Sequence, residues 1–173
     1  MESLSGPLLK IHKYGDPVLQ RKAKPVKDFA AVKSLVPAMF DLMYAEPGIG
    51  LAAPQVGVSL RLAVVDVPVD GRPNPMVLIN PKIEEKKGRI ASTEGCLSLP
   101  GISVTIARAA VVRVSALNEL GFPVSIQADG LLSRCLQHEI DHLDGVLMID
   151  HLSLTEKFKA QLEIRKRKKD GTW

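Results

Sequence analysis

The segment His138-Glu139-Ile140-Asp141-His142 sets two imidazoles four residues apart with a carboxylate beside the first. Four residues of helix make about one turn, so His138 and His142 share a face and can grip one metal ion. A helical wheel sharpens this. With Leu131 as origin and about 100° per residue, Cys135, His138 and His142 fall within roughly 40° of it. Leu132, Leu136, Ile140 and Leu143 form an apolar arc to one side, and Glu139 sits between the two arcs. Gln137 and Asp144 fall on the far side, expected to face water. A row of imidazoles with nothing to bind would be costly to bury. Glu139, among apolar neighbours, is expected to have a raised pKa. That suits a general base which takes a proton from metal-activated water and returns it to a leaving group.

A catalytic metal site usually has three protein ligands and one open position. A third histidine in the pattern H-E-x-x-H-x-x-G-x-x-H would stand at position 148; Gly145 is in place, but the residue is Met148. Glu163, on a later helix, is a carboxylate candidate, although Arg165, Lys166 and Arg167 offer it ordinary ion pairing. Cys96 is the other candidate, in Glu94-Gly95-Cys96-Leu97-Ser98, where Gly95 is expected to permit close backbone approach; a buried structural cysteine is the competing reading. Cys135 lies one turn before His138 and fits as a small apolar residue lining a pocket. Upstream, Gly48-Ile49-Gly50-Leu51-Ala52-Ala53-Pro54-Gln55 superficially matches a dinucleotide fingerprint. However, it follows a helix rather than a strand, and Pro54 blocks the expected continuation. It reads better as a flat edge against which another backbone can lie. Gln55, at its end, offers a neutral donor to a developing oxyanion, unless it is only a surface amide.

These side chains need a scaffold. The chain has 173 residues, enough for one domain of about 100–200. With 46% hydrophobic and 24% charged residues it is not a disordered chain. The longest uncharged run, Pro47–Leu60, is 14 residues with two prolines, too short for a membrane helix. The opening MESLSGPLLKIHKYGD lacks an apolar signal core, and two cysteines make no disulfide framework, so a cytoplasmic protein of bacterial type is expected, with an organellar one as the alternative. The net charge of +4 is concentrated: residues 157–173 carry seven Lys or Arg against Glu163 and Asp170.

Residues 1–27 read as an irregular arm. Asp28 is expected to cap a helix running to about Tyr44, with Pro37 kinking it or marking where its regular part starts. Arg61–Val67 reads as a buried strand, Met76–Asn80 and Ile83–Lys86 as two short strands parted by Pro81, and Ser103–Ile106 as another. Val111–Leu117 and Phe122–Gln127 form a hairpin through Asn118-Glu119-Leu120-Gly121. Leu131–Asp144 is a helix stopped by Gly145, and Leu154–Lys169 a second, capped by Ser153 or Thr155. Helix, short strands, then helices make an α+β pattern. The expectation is of short antiparallel sheets packed around a central metal-binding helix, with an N-terminal helix and a C-terminal basic helix. Residues 1–155 would form a single catalytic metallohydrolase domain and residues 156–173 the basic helix and tail.

The three segments GIGLAAPQ (48–55), EGCLS (94–98) and HEIDH (138–142) together resemble the motifs of the peptide deformylase family, in order and without mismatch. VLINP (77–81), ADGLL (128–132) and HLDGVL (142–147) extend the resemblance over roughly residues 8–155. It implies that Cys96, His138 and His142 bind one divalent metal ion, Fe²⁺ in the cell, with Zn²⁺, Ni²⁺ or Co²⁺ as substitutes. A thiolate ligand would make a ferrous site sensitive to oxidation. It implies that Glu139 is the acid/base, that Gln55 and the backbone N–H of Leu97 hold the oxyanion, and that Gly50 lies near the reacting carbonyl. The implied reaction is hydrolysis of N-formylmethionyl peptides to formate and a free amino terminus, with metal-bound hydroxide attacking the formyl carbon. Methionine would sit in an apolar pocket including Leu131 and Cys135, with Arg134 at its rim. Where some relatives carry a charged stretch after EGCLS, this chain has Pro100-Gly101-Ile102-Ser103. Arg108 is expected to pair with Asp141 and brace the ligand helix. The basic helix would dock on ribosomal RNA near the exit of nascent chains, or else be a solvated face. A monomer with no membrane partner is expected. The competing readings are a zinc endopeptidase using the same helix, which leaves EGCLS unexplained, and a structural metal site in an RNA-binding module.

Overall fold

The computed structural model describes residues 9–173. Residues 1–8, which begin the predicted arm and carry part of the leader reading, lie outside them. In chain order the elements are α1 (Ala30–Lys33), α2 (Leu35–Ala45), β1 (Gly50–Ala52), β2 (Leu62–Asp66), β3 (Pro75–Lys87), β4 (Ile90–Cys96), β5 (Leu99–Arg108), β6 (Val111–Leu117), β7 (Pro123–Asp129), α3 (Gly130–Leu143) and α4 (Leu154–Lys169). The predicted α+β class holds. Five antiparallel strands run in the order β1-β2-β3-β6-β7, and β4 and β5 form a separate two-stranded sheet.

Strand periodicity explains how one sheet serves two helices. All five residues of β2 are buried, and alternate side chains point to opposite faces. Ala63 and Val65 join Leu136, Ile140 and Leu143 of α3, while Leu62 and Val64 join Met39 and Met43 of α2. Each fully buried Leu or Ile of α3 contributes about 1.5–3 kcal/mol to holding that helix in place. A third cluster sits under β5, where Leu99, Ile102, Val104 and Ile106 meet Leu19, Met148 and Ile164.

Several predicted boundaries shift for identifiable reasons. The N-terminal helix breaks at Ser34, and Pro37 falls in the first turn of α2, where its missing N–H costs nothing. Asp28 still serves α1, its Oδ1 accepting from the Ala30 N–H at 2.9 Å. The two short strands around Pro81 are one strand, β3. It passes the proline through register shifts after Ile79 and Ile83, with Asn80 at φ 52°. Asn80 exchanges two hydrogen bonds with the Val26 backbone, at 2.8 and 2.9 Å, which hold that conformation. Strand β4 is absent from the sequence reading; its burial is slight apart from Glu94, so it has little apolar alternation to detect. The hairpin β6–β7 and helix α3 stand as expected. Gly145, at φ 74°, ends α3, and a Cβ there would lie 2.7 Å from the Gln20 carbonyl, so only glycine fits. Ser153 caps α4 in a reciprocal box with Glu156.

Candidate active site and metal centre

Strand β4 delivers Cys96 to the histidine face of α3. Cys96 Sγ lies 3.3 Å from His142 Nε2, and His142 Nε2 lies 3.2 Å from His138 Nε2. The three ligand atoms all lie within 4.8 Å of one another. Two imidazole nitrogens and a sulfur turned toward one point make a borderline-soft donor set that suits a divalent transition metal. The fit extends outward: His138 Nδ1 is 3.0 Å from Glu94 Oε2, so the Nδ1–H donates to the carboxylate and leaves the Nε2 lone pair facing the other two. Glu163 is not in this group; it pairs with Arg167 on α4 at 3.0 Å. Met148 is buried in the cluster under β5.

Glu94 is the hub that sequence reasoning missed. Arg108 binds it through Nε at 2.6 Å and Nη2 at 3.0 Å, and Arg134 donates from Nη1 at 2.8 Å. Arg108 Nη1 also reaches Asp141 Oδ2 at 2.8 Å, the pairing expected from the sequence, and His151 Nε2 lies 2.7 Å from the same oxygen. One buried guanidinium therefore ties β4 to the ligand helix. Burial alone would raise the Glu94 pKa, but the hydrogen bonds from His138 and Arg108 hold it down at about 2. The available signal was strand alternation: Glu94 and Cys96, two residues apart, point to the same face.

Glu139 lies between the metal-ligand face and the core. Burial pushes its pKa up to about 7, against the pull of His138 and Arg108. Its Oε2 is buried without a partner among the described residues, as is His142 Nδ1. Gly50 is what makes room for it. A Cβ at Gly50 would collide with Glu139 Oε1 and lie 2.8 Å from Cys135 Sγ. The predicted close approach thus occurs at Gly50 and not at Gly95, where the nearest atom to an added Cβ is 4.0 Å away.

Gln55 sits in the 3₁₀ turn Ala53–Val56 that follows β1, and it is buried rather than a surface amide. Its Oε1 accepts from the Ala52 N–H at 2.9 Å, which orients Nε2 toward Ser98 Oγ at 3.2 Å and Cys96 Sγ at 3.7 Å. Leu97 occupies the tight turn between Cys96 and Leu99 that joins β4 to β5. Ser98, wholly buried, was the second residue missed.

A cleft of about 540 Å³ opens over this assembly, lined by Gly50, Gln55, Cys96, Leu97, His138 and Glu139 among others. Leu131, Arg134 and Cys135 also line it, as expected of a side-chain pocket. Burial pushes the Cys135 thiol up, which keeps it a neutral apolar wall. One wheel assignment fails. Gln137 is buried, not wet: its amide accepts from the Ala109 N–H at 3.1 Å and donates to the Ala109 carbonyl at 3.0 Å, clamping α3 to the β5–β6 connection. Asp144 is exposed as predicted and pairs with Arg61 at 2.7 Å.

Residues 8–158 match the family model described as polypeptide deformylase. The peptide deformylase of Acidobacterium capsulatum is 47% identical over 165 residues, covering 94% of this chain and 97% of its own. That of Neisseria meningitidis is 45% identical over 163 residues, covering 94% and 97%. The crystal structure of a peptide deformylase from Legionella pneumophila superposes with a TM-score of 0.87 at 44% identity, covering 94% of this chain and 96% of that one. A Synechococcus elongatus peptide deformylase, solved in complex with actinonin, gives 0.83 at 42% identity, covering 94% and 88%. No helix among the described residues is long and apolar enough to cross a membrane.

Proposed function

Because the chain belongs to the polypeptide deformylase family, we propose that it removes the N-formyl group from the initiator methionine of nascent polypeptides, releasing formate. Cys96, His138 and His142 would hold one divalent ion, Fe²⁺ in the cell, with Zn²⁺, Ni²⁺ or Co²⁺ able to replace it. Such an ion supplies Lewis acidity, which polarises the formyl carbonyl and makes water a nucleophile near neutral pH.

The protein's own groups then do the following. Glu139 accepts the water proton at Oε2, the oxygen left without a partner. It returns that proton to the amide nitrogen as the formyl C–N bond breaks, giving formate and a free amine. Gln55 Nε2 and the Leu97 N–H receive the negative charge that develops on the formyl oxygen. Gly50 keeps the space above Glu139 clear of a side chain, so that the substrate backbone can lie along the edge of β1. The methionine side chain enters the apolar part of the cleft by Leu131 and Cys135, and Arg134 stands at the rim. Residues 1–155 act as the catalytic domain, in a monomer working in the cytoplasm. The basic helix of residues 156–173 offers phosphate-directed docking on ribosomal RNA; Lys159, Arg165, Lys166 and Lys169 are in no ion pair among the described residues.

The observation that carries the reading is a buried, unpartnered carboxylate oxygen beside a Cys-His-His trio, with Glu139, Cys96 and His138 lining one cleft. Formate release from a formyl-Met peptide tests it. Glu139→Ala is expected to lose about 10²–10⁴-fold in kcat while retaining the metal. Equal release by both proteins overturns the assignment, and internal peptide cleavage without formate would point to an endopeptidase.

A further inference from the structure

The segment His12–Asp16 precedes every motif and makes no hydrogen bond to Cys96, His138 or His142 among the described residues, yet its backbone reaches both sides of the site. The His12 N–H donates to the Gln55 carbonyl at 2.7 Å, and the Tyr14 N–H donates to the Ser98 carbonyl at 2.8 Å. Through these two N–H groups, two residues apart, one short stretch spans the turn that presents Gln55 and the turn that presents Leu97. On the inner side the same two turns are joined by Gln55 Nε2 and Ser98 Oγ. The pair is therefore tied from within and from without.

We propose that His12 is a positioning residue that fixes the separation of the two oxyanion donors. The inference rests on the oxyanion roles given above to Gln55 and Leu97. The His12 ring lies directly on the Gln55 turn: a Cβ at Gly57 would come within 2.7 Å of its Nε2. Its Nδ1 is held by Asp16 Oδ2 at 2.6 Å. Asp16 is anchored in turn, since its Oδ1 accepts from the Val18 N–H at 3.0 Å at the head of the turn that buries Leu19. Between these two residues, the Tyr14 hydroxyl accepts from Gln161 Nε2 at 3.1 Å and its carbonyl from Lys168 Nζ at 3.2 Å. The segment is thus held at His12, Tyr14 and Asp16, which restrains its backbone donors. Donors aimed at a developing charge lose their advantage with small misplacements, because the charge is met only at one position.

The test is a double-mutant cycle on formate release. His12→Ala is expected to lower kcat about tenfold while KM stays within about twofold. In a Gln55→Ala background the same change should alter kcat by less than about twofold, because the group it positions is gone. His12→Asn, which can still donate to Asp16, should recover part of the loss. Should His12→Ala fail to fold, Asp16→Ala removes the ring's carboxylate partner and runs the same cycle. Full additivity of the two losses, or no loss on His12→Ala, overturns the proposal. A normal kcat for Gln55→Ala alone overturns the oxyanion reading on which it rests, and so separates the two failures.

Discussion

Helices α3 and α4 are similar in length and close in sequence, yet opposite means hold them. Of the 14 residues of α3, eight are buried, and four of those are polar or charged besides Cys135. Of the 16 residues of α4, only Ile164 is buried. Ser133, Gln137 and His142 Nε2 each have a partner from another element, whereas Glu139 Oε2 and His142 Nδ1 have none among the described residues. On α4, Leu154 and Phe158 stand exposed beside a run of cations. The contrast separates two uses of charge. Where charges must orient chemistry they are enclosed and interlocked; where they can meet a partner they are left in solvent.

Removing the centre of the enclosed network should have the greatest cost. Arg108→Met takes the shared cation from buried Glu94, which keeps Arg134 and His138, and from half-buried Asp141, which keeps His151, and should cost about 3–5 kcal/mol in urea denaturation. The matching change on the open helix, Arg165→Met, should stay within about 0.5 kcal/mol. Near-equal losses would erase the distinction between the two helices. Next in size, Ile164→Ala should cost about 2–5 kcal/mol, since the side chain fills the cluster under β5. A value below about 1 kcal/mol would mean that α4 is held by its polar contacts instead. Smallest in stability is the pair Arg165→Glu and Lys166→Glu. It should leave formate release intact while weakening binding to a short RNA duplex and flattening its salt dependence. An unchanged salt slope would make that face merely solvated. Because Ile164 is part of the core, these charge reversals probe docking more cleanly than deleting residues 157–173.

The sequence made α3 legible because helical periodicity and the four-residue spacing of His138 and His142 act within one element. The family resemblance brought Cys96 into the set, which spacing alone could not separate from Glu163. Glu94 stayed hidden because its partners, Arg108, Arg134 and His138, come from elements that meet only in the fold. Gln137 was misassigned because a wheel shows a face but not the Ala109 loop packed over it. Pro81 looked like a break because sequence rules price the lost N–H and not the Asn80 side chain that secures the bulge beside it.

Ile164 has a consequence beyond stability. With that side chain locked under β5, and with Gln161 and Lys168 fastened to Tyr14, α4 cannot swivel without opening the core. Anything that grasps its cationic flank therefore meets the cleft mouth at a constant bearing.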